Sequence, residues 1–474
     1  MSDIHTFMQS FKGDIVTPND PNYKQAIARW AVNAERPASI VAFVKDIDDI
    51  ALALKYARTN KLQVAIRCGG HSPSGASSAE DGLIIDLSRY YNYAVVDPAK
   101  RTVRIGGGSL WETVDKEAIK HGLATVAGTV NHGLLLGGGY GFLTGQHGLV
   151  VDNLIQATLV TADGTVLTLS DTENTELFWG IRGGGSNFGV CTEFVLRLHP
   201  QRRTVFAGIV VFPAEVLDAL MAVLTKWWKT VKNNEGILQI LGRGPGGREC
   251  ISLNLFYNGS EDEGRKNFKR FYDLGPIVDG AREIPFEQLN GIMNETFAHG
   301  YGYYLKSVFQ SSPRAHVVKS VFEKITQLNA APGNEIEHGY LFEYVPHHTV
   351  MTLPENATSH LRSHRGMTGS ALKWTNNTPA VEQAAKKAAR ELTDIVAIAE
   401  AQASDGKSNS GYGNFSGYHG SADSETQAES ADQESMSRTL FGPNYGPLQR
   451  LKHRYDPENV FWKWFAIAPN AGGA

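Results

Sequence analysis

Four glycine clusters between Arg67 and Gly189, "RCGGHSPSG", "IGGGS", "LGGGYG" and "RGGGSNFG", constrain this chain more than any other feature. Glycine lets backbone N–H groups approach a ligand closely and converge on an anion. One cluster is explained by a tight turn. Four in succession predict a surface of bare backbone wrapped around a large, phosphate-bearing ligand. None of them carries the lysine of a P-loop, so a cofactor held by backbone fits better than a transferred triphosphate. The first cluster also sets a lone imidazole, His71, just past the carboxyl end of a short apolar strand, where ligand sites gather in α/β units.

At 474 residues the chain exceeds one ordinary core, and two or more domains are expected. "PASIVAFVKDIDDIALALKYARTNKLQVAIRCGGH" reads as strand, helix, strand. The first strand lies near Ile40–Phe43 and the second near Gln63–Ile66. Between them Asp46 is placed as an N-cap, with Ile50, Leu54 and Ala57 on one helical face. Asp163-Gly164, between alternating apolar residues, predicts a hairpin. From residue 204 the texture changes to a long hairpin, aromatic strands at "YGYYLKSVFQ" and "GYLFEYVPH", and two amphipathic helices. That pattern predicts an antiparallel sheet covered by helices on one face. The aromatic residues Tyr301, Tyr303, Tyr304, Phe342 and Tyr344 suit strand core better than ligand stacking. The acidic, serine-rich "SADSETQAESADQES" (421–435) reads as an exposed loop, whereas the apolar tail "YDPENVFWKWFAIAP" should pack.

Several classes are disfavoured. A formal charge of −4 gives no reason to expect nucleic acid or an anionic membrane as partner. No apolar run approaches the ~20 residues of a membrane helix. The N-terminus lacks a basic start followed by an apolar run, so a cytoplasmic protein is expected. Three cysteines, Cys68, Cys191 and Cys250, suit reduced thiols rather than a disulfide framework. Gly242 to Gly247 matches G-x-G-x-x-G, but Pro245 sits inside it and a strand follows, so a hairpin turn is the better reading. There is no H-E-x-x-H, C-x-x-C or G-x-S-x-G, and His347-His348 would point to opposite sides of a strand. No metal site is expected.

Three runs carry a family resemblance: "IRCGGHSPSGASSAEDGLIIDLSRY", "GGGYGFLTGQHGLVVDNLIQATLVTADG" and "ELFWGIRGGGSNFGVCTEFVLRLHP". Together they resemble the PCMH-type FAD-binding domain of the vanillyl-alcohol oxidase superfamily. The chain is more closely similar to the berberine-bridge-enzyme-like oxidases, a branch that includes 6-hydroxynicotine oxidases and oligosaccharide oxidases. "YDPENVFWKWF" resembles the C-terminal ending of that branch. The resemblance implies an α+β fold of two domains: an FAD-binding domain over 1–203 and a substrate-binding domain over 204–437, with its antiparallel sheet covered by helices. Residues 438–474 would return to the FAD-binding domain.

By that resemblance His71 carries FAD covalently through the 8α-methyl group. A neutral imidazole is a competent nucleophile toward such a carbon. Many relatives add a cysteine bonded to flavin C6, located shortly before the GGG run. "GLATVAGTVNHGLLL" contains none and Cys68 lies on the loop of His71, so a single link is expected. The resemblance places the cofactor on Arg67, Cys68, Gly69, Gly70, His71, Ser72 and Gly75, then Gly128 and Thr129. It continues through Gly137, Gly138, Gly139 and Gly141 to Gly189, Val190 and Asn414. The run "GTVNHGLLLGGG" is shorter than its counterpart in relatives, which bears on cofactor geometry and oxygen reactivity; His132 within it either faces the active site or fills the gap. Tyr412, in the Y-x-N match "YGN", is the expected base, although a free phenol at about pKa 10 needs tuning by a nearby positive charge. The implied reaction is transfer of a hydride from an alcohol carbon of a sugar or aromatic metabolite to FAD. Molecular oxygen then reoxidises the flavin and yields hydrogen peroxide. Alternatives are amine oxidation, oxidative cyclisation of a natural product, an FAD dehydrogenase that reacts poorly with oxygen, and a flavin-binding protein without catalysis.

Overall fold

A computed structural model describes residues 4–131, 135–362, 366–403, 413, 427–470 and 472. Its first two hundred residues build two small sheets and a two-stranded ribbon that pairs Leu123–Ala124 with His199–Pro200. In the first sheet, β1 (Asp14–Val16) runs antiparallel to β2 (Ile40–Phe43), and β2 and β3 (Val64–Arg67) flank β4 (Leu83–Asp86) in parallel. Helix α1 (Ile47–Thr59) makes the crossover. Asp46 caps it by accepting from the Asp49 N–H at 3.1 Å, and Ile50, Leu54 and Ala57 are buried against the sheet. The second sheet is antiparallel. Its strands are β5 (Ala94–Asp97), β6 (Thr102–Gly106), β7 (Leu154–Val160), β8 (Val166–Ser170) and β9 (Val190–Arg197), in the order 5-6-9-7-8. The expected hairpin joins β7 to β8, with Gly164 at φ +88° in its turn.

From Thr204 onward the chain forms an eight-stranded antiparallel sheet. Its long strands are β10 (Thr204–Pro213), β11 (Glu235–Arg243), β12 (Glu249–Tyr257), β13 (Gly302–Phe309), β14 (Ile336–Tyr344) and β15 (Met367–Trp374). Gly242 to Gly247 forms the turn between β11 and β12, with a Gly244 N–H to Arg248 carbonyl bond and no helix behind it. Alternation along β14 decides what each residue meets. Tyr340, Phe342 and Tyr344 pack among three helices, Leu217–Trp228, Ala315–Asn329 and Pro379–Ala403. Leu341 and Val345 join the core of the first half of the chain. Tyr304, Phe342 and Tyr344 are therefore strand core.

One expectation is corrected. Residues 427–435 of the acidic stretch form the start of a helix, Gln427–Phe441, rather than an exposed loop, while 421–426 lie outside the described residues. Directly downstream Met436, Leu440 and Phe441 pack on the core, and Glu434 pairs with Arg438 one turn on. Those apolar residues anchor the helix, and it extends backward through alanine, glutamine and glutamate, which favour the helix intrinsically. The helix also runs across the expected division at residue 437.

The C-terminal tail packs, with Phe461, Phe465 and Ile467 buried. An ion pair with no solvent exposure holds it: Lys452 Nζ lies 2.6 Å from Asp456 Oδ2. Lys452 also donates to the carbonyls of Asn187 (2.8 Å) and Phe461 (2.6 Å). Asp456 accepts from the Val460 and Phe461 N–H groups. Removing one member of such a pair strands the other. Lys452→Met should destabilise the protein by about 3–5 kcal/mol in denaturant unfolding.

Candidate functional site

All four glycine clusters meet at one cleft of about 230 Å³. Cys68 to Ser72 reach it from the end of β3, and Gly106, Gly107 and Ser109 from the end of β6. Leu136 and Gly137 come from the third cluster, Gly185, Ser186 and Gly189 from the fourth. Ile66, Leu87, Ile105 and Val114 add an apolar lining. Two positions show why the lining is glycine. A β-carbon on Gly107 would lie 2.1 Å from the Cys191 carbonyl oxygen. One on Gly185, at φ +66°, would lie 2.2 Å from the Trp464 ring.

His71 lies in the wall of this cleft, beside Arg67, whose Nη1 donates to Asp86 Oδ2 at 2.6 Å. Asp86 is fully buried at the end of the neighbouring strand, so the ion pair pins the root of the loop. Against His71 packs Trp30, with ring centroids 4.3 Å apart and planes at 42°. Next to Trp30, the buried Arg29 guanidinium donates to the carbonyls of Ser77 (3.1 and 2.6 Å), Ala26 and Ala28. Burial pushes its pKa down to about 9, and the charge of Arg67 adds to that. Burial and Arg67 also hold His299 below the ordinary histidine range.

The expected site residues divide by position. Cys68, Gly69, Gly70, His71, Ser72, Gly137 and Gly189 line the cleft. Arg67 anchors the loop, and Gly75 closes its far turn at φ +77°. Gly128, Thr129, Gly138, Gly139, Gly141 and Val190 are not among the lining residues. The carbonyls of Gly138 and Gly139 accept from Val151 and Val150, and a β-carbon on Gly141 would lie 2.3 Å from the Ala127 oxygen. Val190 is core, at the start of β9. His132, Tyr412 and Asn414 lie outside the described residues; Gly413 is buried and lines the cleft. The "IGGGS" and "RGGGSNFG" clusters signal Gly106, Gly107, Ser109, Gly185 and Ser186, which the residue-by-residue resemblance omits. No sequence signal marks Arg29 or Trp30, whereas Trp464 lies in the C-terminal run that carries the resemblance.

This lining suits FAD. Backbone and apolar side chains form the surface; two buried donor-bearing atoms, Ser77 Oγ in the lining and Arg67 Nε at the root of the first loop, have no protein partner among the described residues. Near the third cluster, the Tyr140 hydroxyl donates to the main-chain carbonyl of Glu343 on β14 at 3.4 Å, and the Tyr140 ring stacks on His347 at 4.9 Å. Burial pushes Glu343 up to about 8, opposed by the nearby Tyr140 hydroxyl.

Two consequences are measurable. Gly185→Ala should cost about 1–3 kcal/mol by overpacking against Trp464, and purified protein should carry less FAD than wild type. For Glu343 the folded pKa is raised, so its contribution to stability is full below the free value of 4.5 and is lost as pH rises toward about 8. Denaturant midpoints measured across that range should fall more steeply for wild type than for Glu343→Gln.

Comparison with known proteins places this geometry. Residues 38–170 match the family model described as FAD binding domain, and residues 428–467 the model described as berberine and berberine like. The chain is 32% identical to the FAD-linked oxidoreductase pgmH of Aspergillus terreus, over 98% of this chain and 96% of the relative. The solved structure of 6-hydroxy-D-nicotine oxidase from Arthrobacter nicotinovorans superposes with a TM-score of 0.82 at 27% identity, covering 97% of this chain and 98% of that one. A glucooligosaccharide oxidase from Acremonium strictum with a 6-S-cysteinyl, 8α-N1-histidyl FAD shares the fold at a TM-score of 0.82 and 19% identity, covering 99% and 100%. With its glycine clusters converging on one cleft and its tail packed back against it, the chain belongs to the berberine-bridge-enzyme-like family of FAD-dependent oxidoreductases, within the vanillyl-alcohol oxidase superfamily.

Proposed function

We propose that this FAD-dependent oxidoreductase is an oxidase that holds FAD by a single covalent bond to His71. It acts on the CH–OH carbon of a small sugar or aromatic metabolite, with dioxygen as final acceptor and hydrogen peroxide as product. The observation that carries this reading is the position of His71 in the wall of the cleft where all four glycine clusters meet. FAD bound there supplies the two-electron acceptor.

The chain's own groups support each part. Arg67 and Asp86 fix the loop, so the imidazole is presented from a rigid root. The neutral ring is the nucleophilic form of an imidazole. The two thiols of the cleft, Cys68 and Cys191, are both pushed up by burial, Cys68 to about 12. Neither is a ready thiolate, which supports one link rather than the two of the Acremonium oxidase. The likeness to 6-hydroxy-D-nicotine oxidase supports dioxygen as acceptor. Because that likeness is nearer than the one to the oligosaccharide oxidase, oxidation at an amine-bearing carbon is the second reading.

Acid precipitation tests the tether. Yellow colour should stay in the wild-type pellet and move to the supernatant for His71→Ala. A colourless wild-type pellet with FAD released would remove the covalent link. A peroxide assay across alcohols and amines tests the reaction. Turnover with alcohols supports the first reading, turnover with amines alone the second. Slow reoxidation in air with no peroxide would indicate a dehydrogenase.

A further inference from the structure

We infer that Trp30, backed by Tyr303 of the eight-stranded sheet, is the positioning residue that holds the His71 ring for bonding to flavin. The inference rests on the reading of His71 as the tether. Trp30 is held from both sides of the molecule. Its N–H donates to the Gly70 carbonyl, one residue before His71, at 3.3 Å. Its indole Nε1 donates to the Phe297 carbonyl at 2.7 Å. One face of its ring system stacks on Tyr303, with centroids 4.0 Å apart and planes at 11°. The chain just after Trp30 is pinned to the same strand. The Val32 N–H donates to the Tyr301 carbonyl at 2.9 Å, and the Asn33 side chain bonds both the N–H and the carbonyl of Tyr303. Trp30 and Tyr303 are each 1% exposed. The indole is therefore a fixed plate, and the imidazole leans on it.

Orientation matters for the bond. One C–H bond of the 8α-methyl group is replaced by a C–N bond to the imidazole. The proton from carbon, the proton from nitrogen and two electrons leave, and dioxygen takes them as hydrogen peroxide. A nitrogen lone pair must face that carbon in a near-attack geometry, and misplacement by about 1 Å costs roughly a hundredfold in such steps. His71 sits on a glycine- and serine-rich loop, and its ring packs on the Trp30 indole at 4.3 Å. The indole gives that ring a fixed surface to pack on, and Tyr303 backs the indole.

The test separates binding from bonding. Full-length protein is prepared without flavin in riboflavin-starved cells and mixed with FAD. Reversible binding is read by quenching of FAD fluorescence, and bonding by flavin fluorescence of the acid-precipitated, washed chain over time. Trp30→Ala should bind FAD with unchanged affinity yet bond it roughly a hundredfold more slowly than wild type. Trp30→Phe should fall between the two, and Tyr303→Leu should also slow bonding. Bonding at the wild-type rate in Trp30→Ala would overturn the inference. Should the alanine variant not fold, wild-type rates in both Trp30→Phe and Tyr303→Leu would overturn it equally. His71→Ala marks failure of the underlying reading: covalent flavin that persists there places the tether elsewhere. Wild-type protein that releases all its flavin removes the tether, and this role with it.

Discussion

The carbonyl of Cys191 lies 2.1 Å from where a β-carbon on Gly107 would be, and the Trp464 ring 2.2 Å from that of Gly185. This approach of backbone and ring to bare backbone is the constraint on which the cleft depends. It brings the end of β6 against β9 and the fourth glycine cluster against the C-terminal tail. Side chains at those positions would push the walls apart, so the glycines are required by the protein's own packing as well as by a ligand. The same economy operates at Gly138 and Gly141, where a β-carbon would lie 2.8 Å from the His360 ring and 2.3 Å from the Ala127 carbonyl oxygen.

A second dependence runs across the seam between the two halves. Leu341 on β14 and Val345 just beyond it share a core with the first half, so the large sheet is part of that core rather than an appendage. Polar contacts fix its alignment: Asn33 pairs with the backbone of Tyr303, and the Glu343 main-chain carbonyl accepts from Tyr140. Apolar burial is non-directional and sets how strongly the halves adhere. Directional bonds set which residues face each other, and they determine that Tyr303 stands behind Trp30.

Buried ionisable groups are placed where the chain has to be held. Lys452 and Asp456 lock the tail by satisfying each other and four backbone groups. Among the described residues the Arg29 guanidinium donates to main-chain carbonyls beside the loop of His71. Desolvation makes each of these groups expensive. That expense is met by complete hydrogen bonding for the lysine pair, and by carbonyl dipoles for the arginine.

By itself the sequence determined what is local. Asp46 caps its helix because an aspartate before an apolar-periodic run satisfies free N–H groups whatever surrounds it. Asp163-Gly164 turns because the turn demands positive φ. The glycine clusters announced a backbone-lined site, and the family resemblance put His71 within it. Tertiary structure alone decided the rest. The 427–435 stretch became helical because apolar residues downstream found a core to pack on. Gly138 and Gly137 look alike in sequence, yet one packs against a distant loop and the other lines the cleft. Trp30 meets His71 and Tyr303 only after segments far apart in the chain are brought together. Spacing along a chain encodes helical caps and turns through short-range geometry. Contacts across hundreds of residues depend on how sheets dock, and no local pattern carries that information.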